Sequence, residues 1–304
     1  MSSMILVDLI QIVMTTLTVG SMYALVAVGV SLIYNATGVI NFAQGEFVML
    51  SGMTVASLYG TLGWPLPAAV AAALVVVVLY AALLMAITSA FAARISLIGV
   101  LIITIGASIA TQGAAARIWD SDTHRFPPFS GDDPIRILDA TITPQALWII
   151  GVSAICIAGL IWFMRSTITG KAMRACALDK AAATMVGIPV RTTILLSFVL
   201  SGLLGAAGGI VTTPLTTIDA NGGMLLAIKG FTAAMLGGMG SIPGALLGAL
   251  LIALVETTTV TFASGAYKEL PTFTIIILVL LLLPRGLVGG RHETGLHHDD
   301  LTRT

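Results

Sequence analysis

The sequence predicts an all-α, polytopic transmembrane bundle with interrupted helices. Three observations carry that class. Only 9% of the 304 residues are charged, against roughly a quarter in a soluble domain. The mean hydropathy is +1.04. Apolar runs of about twenty residues, the length that crosses hydrocarbon, recur along most of the chain. Runs such as AVAAALVVVVLYAALLMAI do not alternate, which excludes the closed barrel as the other way to satisfy backbone groups in lipid.

Nine apolar segments follow in order, near 5–34, 46–60, 66–92, 96–118, 144–164, 192–213, 222–240, 242–262 and 271–290. The first is long enough to be tilted, or broken near Gly20–Ser21. Its leader MSSMILVDLI has no basic n-region and no small-residue cleavage site, so it reads as a retained helix. The second and seventh are short for a full crossing. Trp148 and Trp162 bracket the fifth at a helical separation of about 21 Å, as interfacial anchors do, and Trp64 and Trp119 lie at segment ends. One transmembrane domain, 1–290, takes in all nine, and RHETGLHHDDLTRT (291–304) reads as a polar cytoplasmic tail. His297, His298, Asp299 and Asp300 in that tail have no second shell to make a metal site.

Two loops set the expected orientation. The loop 165–191 carries Arg165, Lys171, Arg174, Lys180 and Arg191 against the acid Asp179. The loop 119–143 carries Asp120, Asp122, Asp132, Asp133 and Asp139 against Arg125 and Arg136. Basic loops stay in the cytoplasm, so 165–191 is expected inside, together with Arg94 and Arg285, and 119–143 outside. The N-terminus then lies outside and the C-terminus inside. Cys156 reads as mid-helix and Cys176 as part of the basic loop, which supports neither a metal cluster nor a disulfide.

Glycine spacing predicts close helix contacts. Gly205 and Gly209 lie four apart, as do Gly240, Gly244 and Gly248, and small residues at that spacing let helices approach in lipid. LGGMGSIPG and GVINFAQGE are different. Their glycines, and the proline of the first, should interrupt helices, which is tolerated at membrane depth only where backbone is buried in protein or lines water. One such break in each half is the pattern of inverted halves around a solute path.

The ionisable residues of the apolar segments are Asp8, Glu46, Lys229 and Glu256. Each would cost about 2.5–3.5 kcal/mol or more if it faced lipid at a helix centre. They therefore read either as paired or snorkelling groups or as lining of a path. Asp8 reads as interfacial. Asn41, Gln44 and Glu46 have two readings, a pathway surface that offers hydrogen bonds to solute or water, and a buried network that holds the break.

Catalytic motifs are missing. There is no HExxH and no histidine in an apolar segment. TGKA around Lys171 resembles a phosphate loop superficially. That loop requires Gly and Ser or Thr at the positions held by Arg165 and Ala172, so ATP is not bound in that way and an ATP-driven process needs a separate ATPase.

GSMYALVAVGVSLIYNATGVINFAQGEFVMLSG, GKAMRACALDKAAATMVGIPV, AIKGFTAAMLGGMGSIPGALLGALLIALVE and LLLPRGLVG resemble, in order and over more than half the chain, permease subunits of branched-chain amino acid ABC importers. The chain is similar to the high-affinity, shorter permease of the pair. It departs at Gln44, where the family often has histidine in NFAHGE. An amide donates and accepts but does not switch charge, which argues against a proton relay there.

The resemblance implies a non-enzymatic permease of the bacterial inner membrane. Its partners would be a second, longer permease, two cytoplasmic ATPases that use ATP and Mg, and a periplasmic or lipid-anchored amino acid binding protein. It implies no cofactor in this chain, no metal and no nucleic acid. Asn41, Gln44, Glu46, Lys229 and Glu256 become candidate pathway residues. Lys171, Arg174, Ala175, Ala177, Asp179, Ala182 and Gly187 become a candidate coupling helix for the ATPase, ended by Gly187 and Pro189. Two alternatives remain open from the residues. One is the same importer carrying urea or short amides, and the other is an ion-coupled secondary transporter using Glu46, Lys229 and Glu256.

Overall fold

The computed structural model describes residues 2–92, 96–120, 122–131, 133–137, 140–263, 265–267, 269–282 and 286–288. Arg94, Asp132, Asp139, Arg285 and the tail 291–304 lie outside them. The described residues form a polytopic helical bundle in which six helices are long and apolar enough to cross a membrane. In chain order the helices are α1 (Ser2–Thr37), α2 (Gln44–Val55, continued by a π-helical turn over Ala56–Thr61), α3 (Leu66–Ala92), α4 (Leu97–Trp119), α5 (Pro144–Ser166), α6 (Ile168–Leu178), α7 (Lys180–Met185), α8 (Val190–Thr216), α9 (Gly222–Gly237), α10 (Ile242–Phe262) and α11 (Leu270–Leu282). A small antiparallel hairpin, β1 (Ile135–Ile137) with β2 (Ala140–Ile142), sits before α5.

α1 is the central helix. It packs on α5, α8, α9 and α10 and is buried along most of its length, whereas α3, α4 and α5 expose Leu79, Ile102 and Ile155. A helix apolar all round needs either protein or lipid on every side, and the two groups divide those options. α1 is continuous through Gly20–Ser21, so the possible break there does not occur. The missing Cβ of Gly20 instead makes room for Leu250 and Ala253 of α10.

Both interruptions fall between helices. GVINFAQGE separates α1 from α2, with Gln44, Gly45 and Glu46 forming the first turn of α2. LGGMGSIPG is a turn between α9 and α10, not a gap inside one segment. Gly238 (φ 104°) and Gly240 (φ 86°) take conformations that a Cβ disfavours, and Ser241 caps α10 by accepting from Gly244 N. Gly240 is therefore a turn residue, and the expected helical stripe shortens to Gly244 and Gly248. These two face Gly237 and the Ala233 carbonyl of α9.

The basic loop folds as two helices where the sequence suggests one. Asp179 leaves helical geometry (φ −153°, ψ 112°), and its carboxylate accepts from Ala181 N at 2.7 Å and Ala182 N at 3.0 Å. A side chain that caps a new N-terminus competes with continuing the old helix. Gly187 (φ 82°) then ends α7.

The packing has an inverted internal symmetry. Exchanging α1, α2, α3 and α4 with α8, α9, α10 and α11 preserves the pairs: α1 on α10 matches α8 on α3, and α2 on α8 matches α9 on α1. The two breaks repeat in detail. Asn41 Oδ1 accepts from Ala43 N at 3.1 Å, and Asp219 Oδ1 from Asn221 N at 3.2 Å. The backbone follows suit, with Gln44 N donating to Asn41 O and Gly222 N to Asp219 O, both at 3.3 Å. The first turns of α2 and α9 then cross at Gly45 and Gly223, a backbone approach that any side chain would block.

Two ends of the bundle are distinct. At the basic end, Lys180 Nζ donates to Thr37 O at 2.9 Å, and Asn35 Nδ2 donates to Gly240 O at 2.6 Å. At the acidic end, His124 and Ile218 exchange backbone hydrogen bonds, so the loop before α5 lies over the α8–α9 break. The start of α1 lies at the acidic end, and residues 287 and 288 pair with Leu236 and Gly237 at the basic end.

Candidate functional site

A cavity of about 570 Å³ opens at the acidic end among α1, α8, α9 and α10, lined in part by Asp8, Tyr23, Asp219, Lys229 and Glu256. Lys229 is 4% exposed and Glu256 7%. Lys229 Nζ reaches Glu256 Oε1 at 2.7 Å, Glu269 Oε1 at 3.2 Å and the Tyr23 hydroxyl at 2.9 Å. Tyr23 in turn donates to Glu256 Oε2 at 2.7 Å. Burying an ammonium is tolerable only with such partners. One cation faces two carboxylates here, and Asp8 and Asp219 add more acid around the same space. The cavity surface is thus net acidic.

Gln44 and Glu46 do not line this cavity. Each is fully buried. Ser201 Oγ of α8 donates to Gln44 Oε1 at 2.7 Å, and Gln44 Nε2 donates to Ser201 O at 3.4 Å. The side chain also fills the space that the missing Cβ of Gly29 leaves on α1. Glu46 Oε1 accepts from Ser108 Oγ at 2.6 Å and Gln112 Nε2 at 2.8 Å, both on α4. Glu46 Oε2 lies beside Gly223, with no hydrogen-bond partner among the described residues.

Asn41 belongs to a second cavity of about 340 Å³, towards the basic end, which it shares with Ile33, Thr37, Thr88, Thr104, Lys180 and Phe198. The predicted pathway residues are therefore divided among three places. The two long helices give the order. Along α1, residues 8 to 23 line the first cavity, Gly29 meets Gln44, and Ile33 and Thr37 line the second. Along α8, Thr212 and Thr216 line the first, Ser201 meets Gln44, and Ile194 and Phe198 line the second.

At the basic end Lys171, Arg174, Ala175 and Ala177 line an open groove with Asn35 and Gly240. Asp179 caps α7, Ala182 is exposed on that helix, and Gly187 closes it. Ile168, Leu178, Met185 and Val186 are large apolar residues left exposed beside them. Burial against the bundle pushes the Lys180 ammonium below its ordinary value, and neighbouring Cys176 opposes that shift. The glycines Gly205 and Gly209 of α8 admit α2. A Cβ on Gly205 would stand 2.7 Å from that of Phe47, and one on Gly209 would collide with Ser51 and the Val48 carbonyl.

Sequence reading missed Tyr23, Glu269, Ser108, Gln112 and Ser201. Ser108 and Gln112 did carry a signal, since polar residues four apart share one face of a helix. Tyr23 and Glu269 had none of that kind, because their partner Lys229 is remote in the chain.

Comparison with known proteins agrees with this architecture. Residues 12–283 match the family described as branched-chain amino acid transport system / permease component. The chain is 33% identical to the high-affinity branched-chain amino acid transport system permease protein LivH of Escherichia coli K12, over 90% of this chain and 92% of that one. It is 33% identical to BraD of Pseudomonas aeruginosa, over 92% and 95%. A probable branched-chain amino acid transport permease of Methanocaldococcus jannaschii is 28% identical over 88% and 89%.

Proposed function

The chain belongs to the branched-chain amino acid transport system permease family, and from that premise we propose how its two cavities and basic-end helices move an amino acid. It is the membrane permease subunit of an ATP-binding-cassette importer for branched-chain amino acids, embedded as a multi-pass inner-membrane protein. ATPases and a solute-binding protein are the partners this family implies. The basic end is cytoplasmic by the positive-inside rule, and the acidic end receives solute from the binding protein. A second permease, a longer homologue, completes the path.

The observation that carries the reading is the order of sites along α1 and α8: cavity, buried Gln44–Ser201 contact, cavity. Such an arrangement is a closed path with a space at each end. Solute crosses when the helices around Gln44 separate. The acidic cavity offers carboxylates to an α-ammonium group, and Lys229 offers its charge to a carboxylate once a partner yields. This reading keeps Asn41, Gln44, Glu46, Lys229 and Glu256 as pathway residues, with Gln44 and Glu46 in the closed section.

ATP and Mg act on the partner ATPases. The exposed apolar residues of α6 and α7 form the surface that seats in an ATPase. Lys180 on Thr37 O ties α7 to the end of α1, and Asn35 on Gly240 O ties α1 to the α9–α10 turn. Movement of α6–α7 is thereby passed to the central helix.

The test is uptake of labelled leucine by proteoliposomes containing this permease with its partner permease and ATPases, the binding protein outside and ATP inside. Leucine accumulation that requires ATP and the binding protein is expected. Accumulation by this chain alone under an ion gradient would overturn the reading. Transport of urea or acetamide in place of leucine would revise the cargo.

A further inference from the structure

We infer that the cavity at the basic end binds an aliphatic α-amino acid from the cytoplasmic side and that its occupancy slows import. This rests on the permease reading above and adds to it a product site that regulates.

Asn41 is 3% exposed, and its Oδ1 is committed to Ala43 N at 3.1 Å. That hydrogen bond fixes which way the amide faces. Nδ2 is then left buried with no partner among the described residues, in a side chain that lines the cavity. A buried donor without an acceptor is costly and calls for one. Lys180 also borders the cavity and is the more exposed of the two, so it stands at the mouth. One of its hydrogens goes to the Thr37 carbonyl, and it has no ion-pair partner among the described residues. Both groups are donors, and one is a cation. They suit a carboxylate.

The remaining lining supplies the rest of an amino acid's surface. Thr88 and Thr104 spend their hydroxyl hydrogens on Leu84 O and Leu101 O. Each of these lining residues keeps acceptor capacity on its oxygen, although that of Thr104 also accepts from Phe42 N at 3.3 Å, and acceptors suit an ammonium group and not a second anion. Ile33, Val100, Ile194 and Phe198 form apolar walls of the kind that hold a branched side chain. A phospholipid would fit less well, because an acyl chain reaching inward from a headgroup at Lys180 would leave the Asn41 amide unpaired.

Occupancy has a mechanical consequence. The walls come from α1, α3, α4, α7 and α8, and Lys180 is also the residue that ties α7 to the end of α1. A carboxylate on Lys180 draws on the group that transmits movement of α6–α7. Solute that accumulates inside therefore holds the bundle in its resting arrangement.

The test uses the complete importer in proteoliposomes, with ATP and graded unlabelled leucine inside and labelled leucine and the binding protein outside. Each variant is scored as inhibited rate over its own uninhibited rate. Internal leucine, isoleucine and valine are expected to inhibit, whereas internal lysine and glutamate are not. Lys180→Gln, on an exposed side chain, is expected to raise the half-inhibitory leucine concentration about tenfold, the scale of one charge-assisted hydrogen bond. Ile194→Trp, which fills the cavity from a half-buried position, is expected to abolish inhibition. Leucine uptake that is indifferent to internal leucine would overturn this inference and leave the permease reading standing. Failure to transport leucine at all would instead remove the permease reading. Co-purified phospholipid that Ile194→Trp displaces, with no effect of internal leucine, would assign the cavity to lipid and overturn the inference.

Discussion

Replacing Lys229 by methionine is the sharpest perturbation of the acidic cavity. The volume changes little, but the ammonium that touches Glu256 at 2.7 Å, Glu269 at 3.2 Å and Tyr23 at 2.9 Å is lost. Glu256 stays 93% buried, with the Tyr23 hydroxyl as its remaining donor. Removing one partner of a buried pair costs about 3–5 kcal/mol, because the other charge is left uncompensated. Glu269 is less buried and adds little. Replacing both partners by neutral groups of similar shape is often nearly neutral, so Lys229→Met/Glu256→Gln should recover at least half of the loss. Reversible unfolding of the purified permease in mixed micelles, followed by tryptophan fluorescence, measures both variants. The reasoning fails if Lys229→Met costs less than about 1 kcal/mol, the scale of an exposed pair. It also fails if the double variant is no more stable than the single one.

Three further outcomes are expected. Gln44→Ala empties the contact between the two cavities and strands the Ser201 hydroxyl, at a cost of about 1–3 kcal/mol; liposomes holding the assembled variant should leak leucine without ATP, and a tight variant would show that Gln44 does not close the path. Asp179→Ala removes the cap of α7 at about 0.5–2 kcal/mol, and leucine accumulated per ATP hydrolysed should fall while co-purification of the subunits persists; an unchanged ratio would dissociate α7 from coupling. Gly187→Ala places a Cβ at φ 82° at a cost of about 1–2 kcal/mol, and the same ratio should fall, which ATPase and uptake assays on one preparation would check.

How much was legible in the sequence differs from residue to residue. The apolar runs placed the long helices in chain order, because each crossing must supply its own length of hydrocarbon-compatible side chains; among the described residues six of the nine runs form helices of that length. Gly205 and Gly209 were readable as points of close approach, but Phe47, Ser51 and Val48 as their occupants were not. The split of the basic loop at Asp179 was missed because alanine-rich helix propensity outweighed a single capping signal. Asn41, Gln44 and Glu46, within a stretch of six residues, looked like one polar island. They serve a cavity, a contact with α8 and a contact with α4, since successive residues at a helix start point in different directions.

Local composition thus determined by itself the class, the segments and the sites of interruption, since solvent preference and backbone freedom belong to each residue alone. Tertiary structure decided which charges are paired, which polar groups are left without partners, and that the two halves repeat in inverted sense. Tyr23, Lys229, Glu256 and Glu269 meet only because α1, α9, α10 and the start of α11 pack together. In lipid the energetics of a charge depend on its neighbours, and those neighbours lie up to 233 residues away in the chain.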